Sequence, residues 1–136
     1  MIHVIDTNII SYLLKKDVQV RNRMLDAIEQ NYEFAMLPIV YYEITRWLLE
    51  RKAIQLQNDF NQMCMEMPLA EANKAVWDQA AALYVQARQM GKPIGSDADI
   101  IIAAFFLVYD YSLITNNVRH FERIDGLRII NWKSDT

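Results

Sequence analysis

IHVIDTN, residues 2–8, is a short apolar run that ends on a carboxylate. Four apolar-leaning residues without polar alternation, Ile2 to Ile5, read as a brief strand buried on both faces. Asp6 therefore stands at the exit of a buried strand. In open α/β sheets that is where ligands bind. It is also where a side-chain oxygen can cap a following helix. Taken alone, either role accounts for Asp6, so the rest of the chain has to choose between them.

Outward from this stretch, strands and helices alternate. Thr7 or Asn8 can cap a helix through Ile10, Leu13 and Leu14, and Asp17 can cap a second with Val20, Met24, Ala27 and Ile28 on one face. Phe34 to Leu37 is strand-like. Pro38 suits the first turn of a helix whose apolar stripe is Val40, Ile44, Trp47 and Leu48. Leu56, Phe60, Met63 and Met67 mark another helical face, and MEMPL after it fits a strand or a loop. Glu71 to Met90 predicts an amphipathic helix with Ala72, Val76, Ala80, Leu83 and Ala87 inward, ended at Gly91. Asp97 to Tyr109 is apolar nearly all round, as a buried helix would be. Ser112 to Thr115 and Leu127 to Trp132 read as two last strands. The alternation predicts a parallel sheet covered on both faces, in one domain spanning 1–136.

Composition narrows the function. A chain of 136 residues that is 53% hydrophobic can bury a substantial core. Its formal net charge of −3 argues against holding a polyanion by overall charge. An acidic site bridged by a cation can still bind phosphate. The single Cys64 has no partner for an internal disulfide, so reducing cytosol is the expected compartment. The start MIHVI lacks a basic leader, and the longest apolar run, Ile100 to Tyr109, is shorter than the roughly 18 residues of a membrane span. No P-loop, dinucleotide fingerprint or zinc spacing can be written through the chain.

The carboxylates carry the remaining signal. Ser96 followed by Asp99 resembles a capping box, and Asp97 and Asp99 complement a helix dipole. Two acids at the mouth of an apolar helix nevertheless have little water around them, and a cation would relieve that cost. Glu43 borders an apolar stripe and could instead pair weakly with Arg46. Thr115, Asn116 and Asn117 fit a turn. His120 has no neighbouring His or Cys and is given no metal role. Met63, Cys64, Met65 and Met67 read as core filler. Jointly, Asp6, Glu43 and Asp99 come from three segments that the fold brings to one sheet edge. Oxygen-only ligands select a hard cation, Mg²⁺ or Mn²⁺.

VIDTNIIS, YYEITRWL around Glu43, IGSDADIIIAA and LITNNVRHFERIDGL together resemble the PIN-domain ribonucleases, and among them the VapC-type toxins of toxin–antitoxin pairs. Each motif is weakly specific alone. All four in order, over nearly the whole chain, are strongly specific. The resemblance implies a PIN-like three-layer α/β/α sandwich around a central parallel sheet and metal-dependent hydrolysis of RNA phosphodiesters. It implies a cognate antitoxin and a homodimer. It maps catalytic roles to Asp6, Glu43 and Asp99, with Asp6 and Asp99 as Mg²⁺ ligands and Asp97 as an assisting acid. Where many members carry a fourth acid, this chain reads TNN. Asn117 matches that position, with Asn116 as the nearby alternative, and Thr115 would join the polar rim. Arg46 or Arg119 would contact RNA phosphates. Three other readings stay open: a phosphoacceptor signalling domain, a haloacid-dehalogenase-like phosphatase, and a catalytically silent module with the same fold. The first expects an acidic pair at the first strand. The second expects an Asp where Asn8 stands.

Overall fold

A computed structural model describes residues 1–134. Four strands form one sheet: β1 (Ile2–Ile5), β2 (Glu33–Ala35), β3 (Ser112–Ile114) and β4 (Arg128–Ile130). All pair in parallel, in the order β2-β1-β3-β4. Between β1 and β2 run α1 (Thr7–Leu14) and α2 (Val18–Glu29). Between β2 and β3 run α3 (Pro38–Arg51), α4 (Ile54–Met65), α5 (Lys74–Gln89) and α6 (Asp97–Tyr109). The short α7 (Val118–Phe121) precedes β4.

The sheet is wet on neither side at its centre. Val4, Ile5, Leu113 and Ile114 are almost fully buried although neighbours on a strand point to opposite faces. Helices therefore cover both faces, which gives the α/β sandwich expected from the alternation. α1 packs with α2, α3 and α4, while α5 packs with α6 and α6 with α7, and α3 meets α6. The core contains Phe60, Phe105 and Phe121, each essentially without exposed surface.

The strand order positions the site. From β1 the chain first crosses to β2 on one side and later returns to β3 on the other. Connections thus leave β1 and β3 in opposite directions, and a crevice opens beyond their C-terminal ends. Asp6 follows β1 and Thr115 follows β3. The ends are locked together: the Asp6 N–H donates to the Ile114 carbonyl at 2.9 Å, and the Thr115 N–H to the Ile130 carbonyl at 2.9 Å.

Several local expectations change. Asp6 itself, not Thr7 or Asn8, is the N-cap of α1, its Oδ1 accepting from the Thr7 N–H. Ile28 is exposed, because the second helix buries only Val20 and Ala27. The long amphipathic helix starts at Lys74, capped by the Asn73 side chain, so Glu71 and Ala72 precede it. MEMPL contributes one isolated parallel bridge, Leu69 to Met36. Among the described residues no helix is long and apolar enough to cross a membrane.

Candidate active site

Three buried or half-buried acids face one cleft of about 450 Å³, lined by Asp6, Thr7, Asn8, Glu43, Asp99 and Asn117 among others. Asp6 is only 4% exposed. Its carboxylate accepts from three neutral donors: the Thr7 N–H at 2.7 Å, the Asn8 amide at 3.2 Å and the Thr115 hydroxyl at 2.7 Å. Burial pushes its pKa above the ordinary carboxylate range. The Thr115 and Thr7 hydrogen bonds oppose that shift, while the negative charges of Asp99 and Glu43 add to it. All three acids line the one cleft.

Each acid is held by a partner that the sequence did not announce. The Thr7 hydroxyl donates to Glu43 Oε1 at 2.9 Å, tying α3 to the start of α1. Arg46 does not pair with Glu43. Its guanidinium lies over the Tyr42 ring, 5.1 Å from the centroid. Ser96 caps α6 by accepting from the Asp99 N–H at 3.2 Å. The Asp99 carboxylate turns instead to His120 Nδ1 at 3.0 Å. The capping box read from Ser96 and Asp99 is therefore only half made, and the acid is left at the cleft wall. Asn8 joins the two strand ends, its amide reaching Asp6 and its carbonyl oxygen accepting from the Asn116 N–H at 3.0 Å. The Thr115 hydroxyl also accepts from the Asn117 N–H at 2.9 Å.

Asp97 stands apart. It is exposed and lines a separate depression with Ser96 and Ile100. Asn117 is exposed on the cleft rim, and Asn116 is half-buried with its side chain bonded to Asn131. Residues that sequence reasoning missed are Thr7, Asn8 and His120. Thr7 and Asn8 lie inside the opening motif and could have been weighed as polar neighbours of Asp6. Nothing in the chain signals that His120 would meet Asp99, since that contact is purely tertiary.

The donor chemistry fits a hard divalent cation. Asp6 is a nearly buried acid facing two others, and among the described residues no Lys, Arg or His pairs with it. A cation would offset both desolvation and mutual repulsion. Among the described residues no three His, Cys, Asp or Glu side chains already stand as a ligand set. An ion held by Asp6 and Asp99 would complete its shell with water and neutral oxygens, as Mg²⁺ commonly does.

The chain is similar to known proteins over nearly its whole length. The chain is 26% identical over 133 residues to Ribonuclease VapC2 of Rickettsia felis, covering 97% of this chain and 98% of the relative. It is 28% identical over 138 residues to Ribonuclease VapC1 of Haemophilus influenzae, with the same coverages of 97% and 98%. In three dimensions it superposes on a chain of the Rickettsia felis VapBC2 structure bound to a promoter DNA fragment, with a TM-score of 0.86 and 26% identity, over 98% of this chain and 100% of that one. The family model of the PIN domain matches residues 3–127, and with the sheet order and the acidic cleft this establishes that the chain belongs to the PIN domain family.

Proposed function

We propose that the protein is a Mg²⁺-dependent endoribonuclease, the toxin of a VapBC-type toxin–antitoxin pair, formed by a single PIN domain over residues 1–136. One observation carries this reading: Asp6, Glu43 and Asp99, from three separate parts of the chain, line one cleft, and the charges of Glu43 and Asp99 both bear on Asp6. Relatives named as VapC ribonucleases, matched over nearly their full length, support the substrate class. VapBC complexes among the structural neighbours support a cognate antitoxin. A homodimer and a cytoplasmic location follow from the same family reading.

Asp6 and Asp99 are the residues that would hold the ion. When bound, a divalent cation lowers the pKa of water and offsets charge on phosphoryl oxygens. The chain's own groups do the positioning. Thr7 N–H, Asn8 and Thr115 fix both oxygens of Asp6, so the carboxylate needs little reorganisation on binding. His120 holds one oxygen of Asp99. Glu43, anchored by Thr7, would orient the attacking water or a second ion. Asn117 supplies a neutral amide at the rim. Arg46, on the cleft wall, is the cation nearest to hand for a substrate phosphate. Asp97, exposed beside the α6 start, would assist by raising the negative potential there.

Purified, antitoxin-free protein should cleave RNA with Mg²⁺ and stop in EDTA. Asp6→Ala and Asp99→Ala should each lose about 100-fold or more, since even outer partners of metal ligands are worth ~10–100-fold. Equal cleavage by wild type and both variants would sink the assignment.

A further inference from the structure

Beside the acidic cleft lies a second cavity, of about 370 Å³, whose space none of the roles above fills, although His120 on its wall bonds Asp99. Its floor is apolar, built by Leu83, Leu107 and Ile124. Its rim carries Lys92, Arg119 and Arg123, against one lining carboxylate, Asp125. In a chain of net charge −3 this is a local cationic excess. Among the described residues none of the three cations has an ion-pair partner.

The cavity shares a wall with the cleft. His120 lines the cavity, Asp99 lines the cleft, and the two are hydrogen-bonded at 3.0 Å. Gly95 completes that wall: a Cβ there would lie 3.2 Å from Asp99 Oδ2 and 3.7 Å from the His120 ring. A polymer with one phosphate in the cleft would therefore meet the cavity as its next subsite. An apolar floor under a cationic rim matches a nucleotide, whose base is flat and apolar-faced and whose phosphate is anionic.

We infer that this cavity is the subsite for the nucleotide flanking the scissile phosphate, with the base on the Leu83–Leu107–Ile124 floor and its phosphate held by Arg119 and Arg123. The inference rests on the ribonuclease reading for its substrate, and its test reads binding instead of cleavage. Titrate a fluorescein-labelled single-stranded RNA dodecamer by anisotropy in EDTA, over a salt series, with RNA integrity checked on a gel. The double variant Arg119→Ala/Arg123→Ala should bind about tenfold more weakly. Its salt slope should fall by about 0.7, the value for one single-strand phosphate contact. Arg21→Ala, which removes an exposed arginine on α2, should leave both unchanged, and Arg119→Lys/Arg123→Lys should restore most of the affinity.

The proposal is overturned if wild type does not bind the probe, if the double variant keeps wild-type affinity and slope, or if oligo-glutamate of equal charge displaces the RNA as well as RNA does. That last result would mark an acidic peptide as the occupant. The two readings fail separately. Wild type that binds through these arginines but never cleaves with Mg²⁺ sinks the nuclease and keeps the cavity as an RNA-binding site. Cleaving protein whose binding ignores Arg119 and Arg123 does the reverse.

Discussion

The Asp6 carboxylate accepts three hydrogen bonds, yet burial and two neighbouring acids still leave its pKa raised. A carboxyl whose folded pKa lies above its unfolded value binds protons more readily in the native state. The stability it contributes is present at low pH and is lost as pH rises from the unfolded towards and through the folded pKa. Replacing it with a group that does not ionise removes that trend. In EDTA, the thermal midpoint of Asp6→Asn minus that of wild type should grow as pH rises from about 4 to about 7. A constant offset from altered hydrogen bonds to Asn8 and Thr115 does not affect the slope. A difference that is flat or falls with pH would contradict the raised pKa. Asp6 as cap and Asp6 as site acid are not rival roles: one oxygen caps α1 while the other bonds Asn8 and Thr115 on the strand-end side.

At the scale of elements, α6 does two jobs at its two ends. Its apolar body, including Ile102, Ala103, Ala104, Phe105 and Phe106, is buried, which fixes the helix against the sheet. Its first turn then presents Asp99 to the cleft. Phe105→Ala should cost about 3–5 kcal/mol of unfolding free energy by urea titration, because a fully buried ring leaves a cavity. Gly95, just before the helix, tests the other end. Its backbone angle suits any residue, but an added Cβ would crowd the Asp99 carboxylate at 3.2 Å. Gly95→Ala should therefore keep the wild-type midpoint and lower kcat/KM about tenfold, since misplacement by tenths of an ångström at a reacting centre is costly. Unchanged kcat/KM would show that Asp99 has room to give. The termini of the helices were only partly legible for the same local reason. Asn73 and Asp6 win their caps through side-chain bonds, whereas periodicity alone extends a helix to Glu71 or starts it after Thr7.

Across the whole molecule, a cation bridging Asp6 and Asp99 would join the end of β1 to the start of α6. Binding to the native state alone stabilises by mass action, about 2.7 kcal/mol when the ion is at 100 times its Kd. Mg²⁺ should thus raise the wild-type thermal midpoint, and Asp6→Asn should abolish the rise. An equal rise in both would place the ion elsewhere. By itself the sequence determined the α/β alternation, the buried strand at Ile2–Ile5, the apolar α6 and the residue types of the acidic set. Those follow from local pattern: apolar runs must be buried, and Asp6, Asp99 and Asn117 sit next to element ends. Only the tertiary structure decided that Glu43 bonds Thr7 and not Arg46, that His120 meets Asp99, and that Asp97 lines a separate depression. It also decided that cations far apart in sequence, Lys92 and Arg123, rim one cavity. These contacts depend on the β2-β1-β3-β4 order, which sets which loops meet. No local propensity encodes which distant side chains a shared crevice brings within hydrogen-bonding range.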